Sequence, residues 1–168
     1  MEVFLNGDWI PEEQAQVSAF DRGFLYGDGV FETIRIYQGH PFLLERHLGR
    51  LTHGLSGLHI EDPFSFDEWT DRCRELIARN KVSDGILRLY ITRGTGKRGY
   101  SSMGCSSPTV LISLHDAPPV ADQKTRVNII TAAGILSDHD PLSTFKTANK
   151  LVNICLLYTS DAADDRGC

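Results

Sequence analysis

The stretch from Asp21 to Leu51, DRGFLYGDGVFETIRIYQGHPFLLERHLGRL, changes hydrophobic period once, and that change restricts what the chain can fold into. It opens on a glycine-rich turn (Gly23, Gly27, Gly29) and runs into an alternating segment from Val30 to Tyr37. Residues two apart on a strand share a face, so Val30, Ile34 and Ile36 go together and Phe31, Thr33, Arg35 and Tyr37 oppose them. Gln38-Gly39-His40-Pro41 is turn chemistry, with glycine free to take a positive φ and proline fixing its own. Leu43, Leu44, His47, Leu48 and Leu51 then recur at helical spacing, with Glu45, Arg46, Gly49 and Arg50 largely on the other side. A strand, a turn and an amphipathic helix in direct succession predict a mixed α+β fold.

The flanking sequence agrees. Val3-Phe4-Leu5, Asn6-Gly7 and Asp8-Trp9-Ile10 read as a hairpin, since Asn-Gly suits a two-residue turn. Pro11 to Ala19 is a polar connection, and Leu55 to Ile60 is short and apolar. Ser65, with Glu68 three residues on, has capping-box spacing. It opens a helix whose face is Phe66, Trp69, Cys73, Leu76 and Ile77, ending near Asn80. From Ile86 to Arg93 the chain alternates again: Leu87, Leu89 and Ile91 against Arg88, Tyr90 and Thr92. A glycine-rich basic loop, Gly94 to Tyr100, precedes another strand, Thr109 to His115. Ala117-Pro118-Pro119-Val120 has linker composition, and Val127 to Thr131 is expected to open a second domain.

Composition narrows the function classes. The 168 residues carry a net charge of −5, which offers no general attraction to nucleic acid or an anionic membrane. No apolar run approaches the ~20 residues of a membrane span. The start, MEVFLNGDW, has neither a basic n-region nor a long apolar core. Cys73, Cys105, Cys155 and Cys168 form no CxxC pair and the histidines no HExxH, so neither a metal site nor a disulfide framework is expected. The expectation is a reduced, cytoplasmic protein.

Two blocks carry a family resemblance: Tyr26-Gly27-Asp28-Gly29-Val30-Phe31-Glu32 with Arg35, then His47-Leu48-x-Arg50-Leu51. In this order and separation they resemble the N-terminal signature of the class IV pyridoxal-phosphate enzymes. That family includes branched-chain and D-amino-acid aminotransferases and 4-amino-4-deoxychorismate lyase. The resemblance implies a D-amino-acid aminotransferase-like α+β fold. Residues 1–118 would form an N-terminal α/β domain, and 119–154 would begin a C-terminal cofactor domain. It implies pyridoxal 5′-phosphate as cofactor, small-molecule partners (an amino acid and an oxo acid, or aminodeoxychorismate) and a homodimer. The expected reaction is amino-group transfer between an amino acid and a 2-oxo acid, branched-chain-like. The alternatives are aminodeoxychorismate lyase chemistry, or a non-catalytic dimerising or binding domain.

Such a cofactor needs an amine to attach it and cations for its phosphate. Within Ser143-Thr144-Phe145-Lys146-Thr147-Ala148-Asn149-Lys150-Leu151, Lys146 matches the family's catalytic lysine, followed three positions later by asparagine. Lys150, one helical turn on, is its rival and is expected on the helix surface. Arg50 matches the cofactor-phosphate arginine, and its planar fork of donors suits a phosphate; Arg46 matches no motif position. Phe31, Arg35, Arg98 and Tyr100 are candidates for substrate binding, with Arg98 offered to a carboxylate. Arg88 and Tyr90 share a strand face that would line the same cleft, and Glu32 reads as the structural partner of a nearby arginine.

The subfamily stays open. D-amino-acid aminotransferases carry Tyr where Phe31 stands and His where Tyr100 stands. Branched-chain enzymes usually read Phe-Glu-Gly where this chain has Phe31-Glu32-Thr33. The loop Arg93-Gly94-x-Gly96-x-Arg98-Gly99-Tyr100-Ser101 looks like that of aminodeoxychorismate lyases. From Cys155 the string CLLYTSDAAD resembles a translated sequencing adapter, so 155–168 is expected to be a non-native tail on a second domain cut near Ile154. Partners for the cofactor's ring nitrogen would then be missing, and residues beyond Asp138 would be loosely held with little cofactor binding.

Overall fold

The computed structural model describes residues 1–105, 107–118 and 140–161. In chain order the elements are β1 (Glu2–Leu5), β2 (Asp8–Pro11), α1 (Arg22–Tyr26), β3 (Gly29–Tyr37), β4 (His40–Pro41), α2 (Leu44–Gly57), α3 (Phe66–Asn80), β5 (Asp84–Thr92), β6 (Thr109–His115) and α4 (Leu151–Asp161). Single 3₁₀ turns lie at Glu12–Gln14 and Pro141–Thr144. The strands form one antiparallel sheet in the order β2-β1-β6-β5-β3-β4.

The N-terminal hairpin forms at Asn6-Gly7, both with positive φ (52° and 110°), which matches the twist of the strands it joins. The two long strands pair in full register, Gly29↔Thr92 to Tyr37↔Asp84. Val30, Ile34 and Ile36 therefore stand beside Ile91, Leu87 and Gly85 on one face. Helices α2 and α3 cover that face with Leu44, Leu48, Leu51, Leu55, Trp69, Cys73, Leu76 and Ile77, making one continuous apolar core. Burial pushes the Cys73 thiol up to about 12, so it behaves as a small apolar group.

Ser65 caps α3 as expected: its side chain accepts from Glu68 N while the Glu68 carboxylate accepts from Ser65 N. The other helix differs from expectation. It runs on through Leu55 to Gly57, with Gly54 inside it, because Val30 packs where a side chain at residue 54 would lie. The glycine-rich turn before β3 is a five-residue helix. Asp21 caps it by accepting from Gly23 N, and Gly27 ends it in the left-handed region (φ 67°).

The strand expected at Val127–Thr131 lies outside the described residues. The final helix begins at Leu151, and its Leu151, Val152 and Ile154 are exposed. Among the described residues no helix is long and apolar enough to cross a membrane.

Candidate active site

One interaction brings the end of the chain to the sheet. Thr147 pairs antiparallel with Val30, flanked by hydrogen bonds from Phe31 N to Lys146 O (3.1 Å) and from Ala148 N to Gly29 O (2.8 Å). Residues 146–148 thus extend the sheet past the edge of β3, just where β4 does not reach. Phe145 anchors the segment by packing its ring over Gly57 at the end of α2, with the His53 ring 5.3 Å away. Gly27 leaves room for the Asn149 backbone.

This pairing sets Lys146 over Phe31, with Nζ 4.6 Å from the ring centroid. The Lys150 ammonium lies 5.9 Å from the same ring. Lys150 precedes α4 and reaches this site, rather than standing on the helix surface as its register suggested. Phe31 stacks on Tyr90 at 6.3 Å, and the Arg88 guanidinium lies 5.2 and 5.4 Å from the two rings. Arg88 Nε is buried without a hydrogen-bond partner among the described residues. Burial holds Lys146 below the ordinary lysine range. The Glu32 charge opposes that shift, while Arg50, Lys150 and Arg88 add to it. The Tyr90 hydroxyl is pushed up by burial.

Glu32 is, as expected, the partner of a nearby arginine. It stands on the core face with the aliphatic side chains and has no exposed surface. Arg50 grips it as a fork, Nε to Oε1 at 2.6 Å and Nη2 to Oε2 at 2.7 Å, and His47 Nδ1 lies 2.8 Å from Oε2. Burial alone would raise this carboxyl; the hydrogen bonds from Arg50 and His47 overcome it and hold the group below the usual carboxylate range. Half of the Arg50 side chain stays exposed, and Nη1 takes no part in the pairing. A shallow depression of about 220 Å³ opens beside it, lined by Leu43, Arg46, His47 and Arg50.

The remaining expected residues are distributed unevenly. Arg35 lies four positions along β3 from Phe31, about 13 Å away at strand rise. Its guanidinium is taken up by Asp84 and the carbonyls of Ile36 and Gly85, so the structure does not bring it to Lys146. Arg98 and Tyr100 stand exposed on the glycine-rich loop. Sequence reasoning gave no role to His47, although its helical spacing from Arg50 was the available signal.

The arrangement therefore joins a lysine whose amine is eased toward its neutral form to guanidinium and ammonium groups around an aromatic floor. That combination can attach a carbonyl and hold anions.

A family description, amino-transferase class IV, matches residues 29–167. A putative branched-chain-amino-acid aminotransferase from Methanocaldococcus jannaschii is 40% identical over 120 residues, 71% of this chain and 42% of that protein. Aminodeoxychorismate lyase from Bacillus subtilis is 40% identical over 119 residues, 70% of this chain and 41% of the lyase. The crystal structure of 4-amino-4-deoxychorismate lyase from Pseudomonas aeruginosa superposes with a TM-score of 0.78 and 31% identity, over 93% of this chain and 56% of that one. The chain spans about two fifths of the length of these two curated relatives. The family match over residues 29–167, with relatives 40% identical over some 70% of this sequence, shows that the chain belongs to the class IV aminotransferase family.

Proposed function

We propose that this sequence supplies the lysine and part of the anion cradle of a pyridoxal-phosphate-dependent aminotransferase. The parent enzyme would move an amino group between an amino acid and a 2-oxo acid. The observation that carries this reading is the half-buried setting of Lys146 beside Phe31, among Arg50, Arg88 and Lys150. Residues 1–118 would act as the scaffold, and the segment from 119 as the start of the cofactor-holding domain.

The residues present fit the cofactor. An amine held below its ordinary range is available to bond a carbonyl, and Arg50, with one arm of its fork outside the Glu32 pair, suits a phosphate. When bound, pyridoxal phosphate supplies an aldehyde and an electron-withdrawing ring that stabilises negative charge at the substrate α-carbon. Lys146 is then the base that takes the α-proton and the acid that returns it. Phe31 walls the side-chain pocket, and Arg98 with Tyr100 meets the substrate carboxylate. A homodimer and a cytoplasmic setting complete the reading.

A second reading is carbon–carbon lyase chemistry on aminodeoxychorismate. The Arg93-to-Ser101 loop favours it, and so does the similarity to the Pseudomonas aeruginosa lyase over 93% of this chain.

The test uses the parent enzyme. It should be yellow, and borohydride should fix the cofactor to Lys146; Lys146→Ala should abolish the adduct. Labelling that persisted in the variant and mapped to Lys150 would reject the assignment. Product analysis separates the two chemistries: an amino acid with a new oxo acid, or pyruvate with 4-aminobenzoate.

A further inference from the structure

Arg22 is a charged side chain with only 4% of its surface exposed, on the five-residue helix α1. Its guanidinium is wrapped by the glycine-rich loop: Nη1 donates to Gly99 O (2.9 Å) and Ser101 O (3.1 Å), and Nη2 donates to Tyr100 O (3.1 Å). Nε donates to Asp28 Oδ2 at 2.8 Å. Three consecutive carbonyls of one loop therefore converge on a single cation. The Tyr26 ring packs 4.9 Å from the guanidinium carbon, and its hydroxyl accepts from Gly99 N.

The other end of the clamp is fixed as firmly. Asp28 also accepts from Arg93 Nε and Nη2, and Arg93 donates in turn to the carbonyls of Leu58 and His59. Both cations hold the Asp28 carboxyl below its usual range against the opposing effect of burial. The next residue, Gly29, accepts from Ala148 N beside Lys146. A continuous path of bonded groups thus runs from the loop through Arg22 and Asp28 to the strand that carries the Lys146 segment. Meanwhile the Arg98 side chain stands in solvent, and Tyr100, 89% exposed, meets the clamp through its ring, 5.7 Å from that of Tyr26.

We infer that Arg22 is a positioning residue: it fixes the backbone of residues 99–101 relative to the Lys146 segment, and so sets where Arg98 and Tyr100 are presented to a substrate carboxylate. The last step rests on the function proposed above. Lysine cannot replace it, because one ammonium lacks the planar fork that meets three carbonyls and a carboxylate together.

Two measurements test this. In this chain, hydrogen exchange of amides 97–103 should quicken in both Arg22→Ala and Arg22→Lys, while β5 amides from Leu87 to Ile91 keep their protection. Unchanged loop exchange, or equal loss in β5, overturns the inference; the second result would make Arg22 general support of the fold. In the parent enzyme, Arg22→Ala should raise KM for the amino-acid substrate roughly 10- to 100-fold with kcat within about threefold, as expected when a binding group is misplaced. Arg98→Ala should do the same, and the double variant should add little to either, since the two act as a unit. Fully additive losses would overturn it. A wild-type parent that turns over neither class of substrate rejects the proposed function instead, and the exchange measurement then decides the role of Arg22 alone.

Discussion

The ring of Phe145 lies directly over the α-carbon of Gly57, so that a methyl group at residue 57 would overlap it. This contact, with the His53 ring 5.3 Å from the same side chain, joins the end of α2 to the segment that carries Lys146. Gly57→Ala should push the ring aside and cost about 1–3 kcal/mol, the usual range for overpacking. The amides of Phe31 and Ala148, which bond across the same pairing, should exchange faster while those of β5 do not. Retained protection at both amides would show that the segment is held by the strand pairing alone.

The second expectation concerns Glu32 and pH. Its folded carboxyl titrates below the ordinary 4.5, so the stability it contributes is fully present above that value. It is lost as pH falls from 4.5 through the folded value. Glu32→Gln should therefore flatten the acid limb of the stability curve while lowering stability at pH 7 by about 1.5–3 kcal/mol, the range for hydrogen bonds to charged groups. A parallel acid limb in the variant, followed by urea unfolding against pH, would assign acid sensitivity elsewhere.

Lys146 has the opposite linkage. Its folded amine titrates below 10.5, chiefly through burial, so keeping the proton costs the folded state at neutral pH. Stability should recover as pH rises from the folded value toward 10.5. Lys146→Met should therefore be more stable than the parent sequence at pH 7, and the difference should shrink toward pH 10. Acetylation of Lys146, read by mass spectrometry against pH, should reach its midpoint below that of a free lysine.

Arg50 and Arg46 share a helix but not a fate. Arg50→Ala leaves the Glu32 carboxylate to His47 alone and should cost about 1.5–3 kcal/mol, the range for hydrogen bonds to a charged group. In the parent enzyme it should also weaken cofactor retention by roughly 1.5–3 kcal/mol. Arg46→Ala should do little in either measurement. The double variant Glu32→Gln with Arg50→Ala should recover part of the stability but none of the retention. Recovery of both would mean that Arg50 serves Glu32 only.

Much of this was legible in the residues because local rules governed it. The Asn6-Gly7 turn, the Ser65–Glu68 cap and the alternation of β3 and β5 are each decided by a few neighbours. What escaped reading was decided at a distance. Glu32 keeps the period of Val30, Ile34 and Ile36, yet a carboxylate on a core face is tolerable only because Arg50 and His47 arrive from α2. Gly54 and Gly57 sit inside α2, where Val30 and Phe145 occupy the space a larger side chain would need. Arg35 was offered to substrate because its motif position allowed it; Asp84, at the start of another strand, claimed it. The family blocks pointed to Lys146, but no local pattern gave its pairing with β3 or the approach of Lys150.

The pairing of Thr147 with Val30 closes a loop of more than a hundred residues for a single bridge and two flanking hydrogen bonds. Chain closure over that span is entropically unfavourable and brings little until β3 is already held by β5. Assembly is therefore ordered in time: the sheet and its two helices come first, and the 145–148 segment docks onto a finished edge. Until that late event the Lys146 amine is an ordinary solvated ammonium with the reactivity of any surface lysine. Burial of the Lys146 amine, and with it the shift below the ordinary lysine range, therefore waits on the finished sheet rather than preceding it.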